Sequence, residues 1–324
     1  MRKQIIYFGL CAMLFALCFP AQAQQKGKVP RIGFLLPRTA VPEEFRQRLR
    51  ELGYVEGKNI IIEPRYAEGK FKRFPGFAAE LVQLRVDVIA TVSTPAAKAA
   101  KEATTTIPIV MLASGDPVRR GLVASLAKPG GNITGLTRSA GRSLTPKYME
   151  LLKDVVPELS RVGVLWDARR RDHLRLQKTV YHAAGLLGLK VQSLELRGTD
   201  DIDSAFQAAT EGGAQGLLIT SRHAPILRGR KRIVALAIKS RIPAIYSDKI
   251  FVKSGGLMSY GTDHSDLYGR QANYVDRVLK GANPGDLPIE QPTKFEMFIN
   301  LKTAKQIGIT IPPEMLYRAD KVIK

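Results

Sequence analysis

Small hydroxyl-bearing residues gather where short apolar runs stop. In the first half of the chain they are Pro37-Arg38-Thr39, Ser93-Thr94 and Ser114-Gly115-Asp116. In the second half they are Trp166-Asp167, Ser221-Arg222-His223, Tyr246-Ser247-Asp248 and Tyr260. Each follows a run with the character of a buried strand, and open parallel sheets bind ligands beyond the carboxyl ends of their strands. Hydroxyls with a few charges and aromatic rings suit hydrogen bonding of a small polar molecule. Ser93-Thr94-Pro95 is the best anion site, because two hydroxyls precede a helix start. There the N–H groups of Ala96 and Ala97 lack intrahelical partners and the dipole is positive. The same residues also read as a plain N-cap by Thr94. Asp248 could receive a ligand ammonium, and so could Asp116, which doubles as a helix cap. Arg38, Arg138 and Arg222 could pair with an anion, although most arginines on so basic a chain are solvated.

Reaction centres are not evident. The four histidines, His173, His182, His223 and His264, are scattered without metal-ligand spacing, so neither metal nor cofactor is expected. Gly256-Leu257-Met258-Ser259-Tyr260-Gly261 lacks the glycine that a nucleophile elbow needs two residues before its serine. Lys128–Gly135 is glycine-rich but lacks the Gly-Lys-Ser/Thr ending of a P-loop. Basic residues are dispersed, which gives no nucleic-acid footprint beyond net charge.

The elements that must position these residues alternate. Strands are expected at 31–36, 60–66, 86–92, 107–112 and 132–137, with helices at 43–52, 74–84 and 96–104 between them. Asp116 and Pro117 also predict a short helix over 118–127, closed by Pro129-Gly130-Gly131. The alternation restarts after residue 138. Helices are expected at 146–156, 174–187, 203–210, 228–239 and 267–279. Strands are expected at 161–166, 189–196, 216–219, 242–246, 257–260 and 295–299, and the tail reads as a short helix with an irregular end. Strands alternating with helices mean βαβ units and parallel sheets, too many strands for one sheet, and hence two α/β lobes.

The chain has 324 residues, of which 45% are hydrophobic, so a sizeable core can form. Its net charge of +21 favours acidic ligands, anionic membranes or nucleic acid. Residues 1–23 read as a cleavable secretory signal: Arg2 and Lys3, an apolar run over 5–19, then Ala21-Gln22-Ala23. Cleavage after Ala23 would remove both cysteines, Cys11 and Cys18, and leave a net charge of +19.

In order along the chain, RELGYVEGKN (50–59), DVIATVSTPAA (87–97), IPIV (107–110), DPVRRGLVASLAKPGGNITG (116–135), GGLMSYG (255–261) and FEMFINLKTAKQIG (295–308) carry a family resemblance. Together they resemble ABC transporter substrate-binding proteins of the tryptophan/tyrosine-binding type. The resemblance implies a type I periplasmic-binding-protein fold: two Rossmann-like lobes with parallel sheets, joined by a three-strand hinge. The crossings would lie near 135–138, 260–263 and 287–292. The implied N-terminal lobe spans 29–138 plus about 262–290, and the C-terminal lobe 139–261 plus about 291–324. It also implies a periplasmic location and, as partners, a small-molecule ligand and a membrane permease with its ATPase. Contact with the inner membrane would come only through that permease.

The expected role is therefore non-catalytic trapping of a small amino-acid-like or carboxylate ligand. The candidate ligand-binding residues are Arg38, Thr39, Ser93, Thr94, Ser114, Gly115, Asp116, Thr137, Trp166, Ser221, Arg222, Tyr246 and Asp248. In the closed form Ser93, Thr94, Ser114 and Asp116 would face Thr137, Ser221 and Asp248 across the ligand. Alternatives are a periplasmic ligand sensor on the same fold, an α/β enzyme using the same cleft, and a basic surface-binding protein.

Overall fold

A computed structural model describes residues 28–139, 144–169, 173–220 and 224–324. The expected signal segment lies outside these ranges. The first sheet holds β1 (Arg31–Leu36), β2 (Ile61–Tyr66), β3 (Val88–Val92), β4 (Ile109–Ala113) and β5 (Ile133–Thr137), all parallel, in the order β2-β1-β3-β4-β5. β3, β4 and β5 are buried at every position. Such strands are apolar throughout because helices cover both faces of a parallel sheet. Ile32, Phe34 and Leu36 pack into one cluster and Leu35 into the other, as a period of two requires.

Helices α1 (Glu43–Glu51), α2 (Phe74–Gln83) and α3 (Thr94–Ala103) complete this lobe as expected. The short helix over 118–127 does not form. The segment makes successive turns, with Gly121 at φ +67° and Arg120 N–H on Asp116 O. Only a few residues separate the start signal from that glycine, too few to offset the cost of nucleating a helix.

The second sheet has seven strands. They are β6 (Arg161–Asp167), β7 (Lys190–Leu196), β8 (Gly216–Ile219), β9 (Ala244–Tyr246), β10 (Met258–Thr262), β11 (Phe295–Asn300) and β12 (Lys321–Ile323). Their order is β12-β11-β10-β9-β8-β6-β7, and β10 with β11 is the antiparallel pair. Helices α4 (Thr145–Val155), α5 (His173–Leu186), α6 (Ile202–Glu211), α7 (Ala224–Arg228), α8 (Arg230–Lys239) and α9 (Lys249–Lys253) surround it. The tail is more regular than expected, with α11 (Leu301–Ile307), α12 (Pro313–Arg318) and β12; Ile307, Ile311 and Met315 enter the second lobe's core.

Between them, α10 (His264–Leu279) leaves the second sheet and packs on the first. Its Leu267, Tyr274 and Val275 join the cluster of Phe34, Phe45 and Leu49. Gln271, fully buried, donates from Nε2 to the carbonyls of Thr91 and Val110, pinning the helix to β3 and β4. The chain then returns beside β5, where Thr137 N–H donates to Glu290 O and Glu290 N–H to Gly135 O, and joins β11 after Asp263 N–H meets Lys294 O. Three crossings are thus tied to one another.

Candidate functional site

The carboxyl ends of β1 and β3–β5 and of β6 and β8–β10 all point toward these crossings, because both sheets are parallel up to β10. The sequence builds the first side tightly. β3 stops at Ser93, which adopts φ +135°, a conformation few residues with a side chain take. It persists because Ser93 is held from three directions. Its N–H donates to Leu112 O, its Oγ accepts from Ala96 N–H at 3.3 Å, and its carbonyl accepts from Ala97 N–H at 3.1 Å.

The cap of α3 is therefore Ser93 and not Thr94. The Ala96 and Ala97 amides expected to receive an anion are already bonded to Ser93. Thr94 instead holds the loop after β4, where its Oγ1 donates to Ser114 O at 2.7 Å and accepts from Ser114 N–H at 3.1 Å. Thr137 does the same from the far side, donating to Gly115 O at 2.5 Å and accepting from Ser139 N–H at 3.1 Å. Two threonines thus grip one loop, and Ser114 and Gly115 stay exposed between them. Thr137 belongs on this side of the cleft, not opposite Ser114. Asp116 caps a turn, accepting from Val118 and Arg119 N–H. Arg38 and Thr39 are exposed at the end of β1.

The facing side is built on Asp248. It is 7% exposed, and its Oδ1 caps α9 through Ile250 N–H at 2.8 Å. Its Oδ2 lies 3.8 Å from His264 Nε2, at the start of α10. Lys249 beside it holds Glu296 at 2.7 Å, and burial raises the Glu296 pKa above the ordinary carboxylate value against the opposing pull of that lysine. Tyr148, Tyr260 and Phe295 form an aromatic run, with centroids 6.4 Å and 5.9 Å apart. Burial, reinforced by Tyr260 and Asp248, pushes the Tyr148 phenol far above its usual range, so it stays neutral.

Two predicted residues are displaced from this surface. Tyr246 is fully buried and stacked on Phe251 at 4.7 Å, and Trp166 is 2% exposed in the core. Alternation along a covered strand turned both rings into packing. Ser221 and Arg222 lie outside the described residues. His264 and Tyr268 reach the site without having been expected there. Arg138 contacts Tyr268 with a 2.9 Å hydrogen bond to its hydroxyl, its guanidinium 5.8 Å from the ring centroid. Tyr268 is four residues after His264 on α10, a spacing that puts both on one face; that periodicity was the available signal. Among the described residues no group of three or more His, Cys, Asp or Glu side chains could hold a metal.

A sequence profile of the ABC transporter substrate binding protein family matches residues 38–323. The chain belongs to that family. It is 29% identical over 265 residues to a tyrosine-binding protein of Clostridioides difficile, covering 82% of this chain and 75% of the relative. A domain from Streptococcus pneumonia solved in complex with L-Trp superposes with a TM-score of 0.77 at 28% identity, covering 91% of this chain and 99% of that one. A conserved domain protein from Vibrio cholerae gives 0.77 and 28%, covering 91% and 100%. The fold of this ABC transporter substrate-binding protein is that of the type I periplasmic binding proteins. No helix among the described residues is long and apolar enough to cross a membrane.

Proposed function

We propose that this substrate-binding protein traps an α-amino acid with an apolar or aromatic side chain and delivers it to a membrane permease driven by an ATPase. Residues 1–23 would direct export and be cleaved after Ala23, leaving the mature protein in the periplasm. The observation that carries the reading is the loop Ser114-Gly115, exposed yet gripped by Thr94 and Thr137 at the carboxyl end of β4, as Asp248 stands at the carboxyl end of β9. Exposed, fixed polar groups on that loop suit the ligand carboxylate. Asp248, already shielded from water, suits the ammonium, since a charge-assisted hydrogen bond strengthens when desolvated. Tyr260 offers a ring to an apolar side chain.

Closure needs a ligand that touches both lobes in the shut form and one lobe in the open form. The similarity to tyrosine- and L-Trp-binding relatives supports an aromatic amino acid first. Calorimetry with L-tyrosine, L-tryptophan and the matching acids lacking the amino group tests this. The amino acids should bind and the des-amino acids bind at least tenfold more weakly. Equal affinity for both would remove Asp248 from the ligand site, and binding to dicarboxylates alone would overturn the ligand class.

A further inference from the structure

The rim of the first lobe carries a feature that ligand trapping does not use. After β2 the chain turns through Ala67–Lys70 into one 3-10 turn, Phe71–Arg73, before α2. Ala67 N–H donates to Leu36 O and Gly69 N–H to Pro37 O, at 2.8 and 2.9 Å. The tip therefore stands at the carboxyl ends of β1 and β2, on the outer edge of the first sheet. Phe71 is 49% exposed, and its ring stacks on Phe74 at 5.9 Å and 15°, which holds it in place. Lys70 and Lys72 on either side are exposed, and among the described residues neither has an ion-pair partner. Arg73 pairs with Glu68 at 2.9 Å. Further across the same end of the sheet, the loop after β4 exposes Val118 and Arg120.

We infer that Lys70-Phe71-Lys72 is a contact for anionic lipid headgroups. An aromatic ring between lysines seats at the headgroup boundary, with the ring in the apolar margin and the ammonium groups among the phosphates. The rest of the chain agrees. The net charge of +19 that the processed chain would carry answers an extended anionic plane, whereas an acidic protein surface would call for a matched cluster of charges. Contact through this tip turns the carboxyl end of the first sheet toward the bilayer and replaces a search through volume with one along a surface. It differs from membrane contact made only through a permease.

The test is co-sedimentation of the exported, processed protein with vesicles of phosphatidylcholine, with and without phosphatidylglycerol. Processed protein is needed because the apolar leader would itself bind lipid. Binding should require phosphatidylglycerol and fade at high salt. K70Q/K72Q should lower partitioning about 25-fold, at about fivefold per basic residue near an anionic surface. F71A should lower it several-fold. K302Q/K305Q removes the same charge from exposed positions on α11 and should retain most of the binding. Equal loss in both double variants would show that net charge alone acts, and overturn the assignment to this tip. So would wild-type protein that ignores phosphatidylglycerol. An effect of the tip variants seen only with permease-bearing vesicles of neutral lipid would make the partner a protein surface and overturn the lipid assignment. Unchanged amino-acid affinity in the tip variants would establish that they fold and keep this result separate from the ligand reading.

Discussion

Ser93 holds an uncommon backbone conformation that costs about 1–3 kcal/mol, and it persists because its cap and strand hydrogen bonds outweigh that cost. Ser93→Gly relieves the strain and gives up the side-chain cap, which glycine replaces at a cost of only a few tenths of a kcal/mol. Thermal unfolding should therefore stay within a few degrees of wild type, while ligand affinity falls because the start of α3 loosens. A large loss of melting temperature would contradict the strain. Thr94→Val should cost about 1 kcal/mol of stability and weaken ligand binding about tenfold in calorimetry, since the Ser114 loop must then be ordered by the ligand. Full affinity in that variant would detach the clasp from the site. The hydroxyls themselves were legible, because strand ends show in the apolar pattern. Which of them a neighbour consumes was not. Thr94 and Ser114 are 20 residues apart, and nothing local ties one to the other. Trp166 and Tyr246 were misplaced for a related reason: a strand covered on both faces gives no polar alternation to tell an inward ring from an outward one.

Two elements hold the crossings in place. Tyr54, after α1, donates its hydroxyl to Asp276 of α10 at 2.9 Å, and Lys280 holds the same carboxylate at 2.8 Å. Burial first, then Asp276, pushes the Tyr54 pKa up to about 12 from 10.0. The folded state thus holds this proton more tightly than the unfolded one. Its stabilising contribution is complete below about pH 10 and is lost as pH rises through about 12. Tyr54→Phe should lower stability by about 1 kcal/mol at neutral pH. The gap from wild type should close between about pH 10 and 12 in denaturant titrations; a gap of constant size would contradict the latch. At the second crossing, a Cβ on Gly261 would sit 2.2 Å from Ser247 O. Gly261→Ala should lower the melting temperature by several degrees and weaken ligand binding by displacing Asp248, as crowding a packed site costs about 1–3 kcal/mol. Gly135, φ +122°, plays the matching part against Met111 O at the first crossing. Most strands and helices were legible within a residue or two from period and punctuation. The helix expected over 118–127 was not there, because Asp-Pro opens a turn as readily as a helix when a glycine follows this soon. β12 was invisible, since three residues carry no periodicity.

At the scale of the molecule, two sheets are made by one chain that returns twice. The break near residue 138 shows in the sequence as a restart of alternation. The placement of α10 on the first sheet does not, because its apolar stripe fits either core and only the packing with Phe45 and Leu49 decides. That topology leaves the cleft floor to three crossing segments, so the lobes can move without unfolding either core. Motion of this kind is what trapping a ligand between the lobes requires. Small-angle X-ray scattering with and without a saturating amino acid that calorimetry shows to bind tests it most directly. A smaller radius of gyration is expected in the liganded protein, and an unchanged radius at full occupancy would contradict trapping by closure.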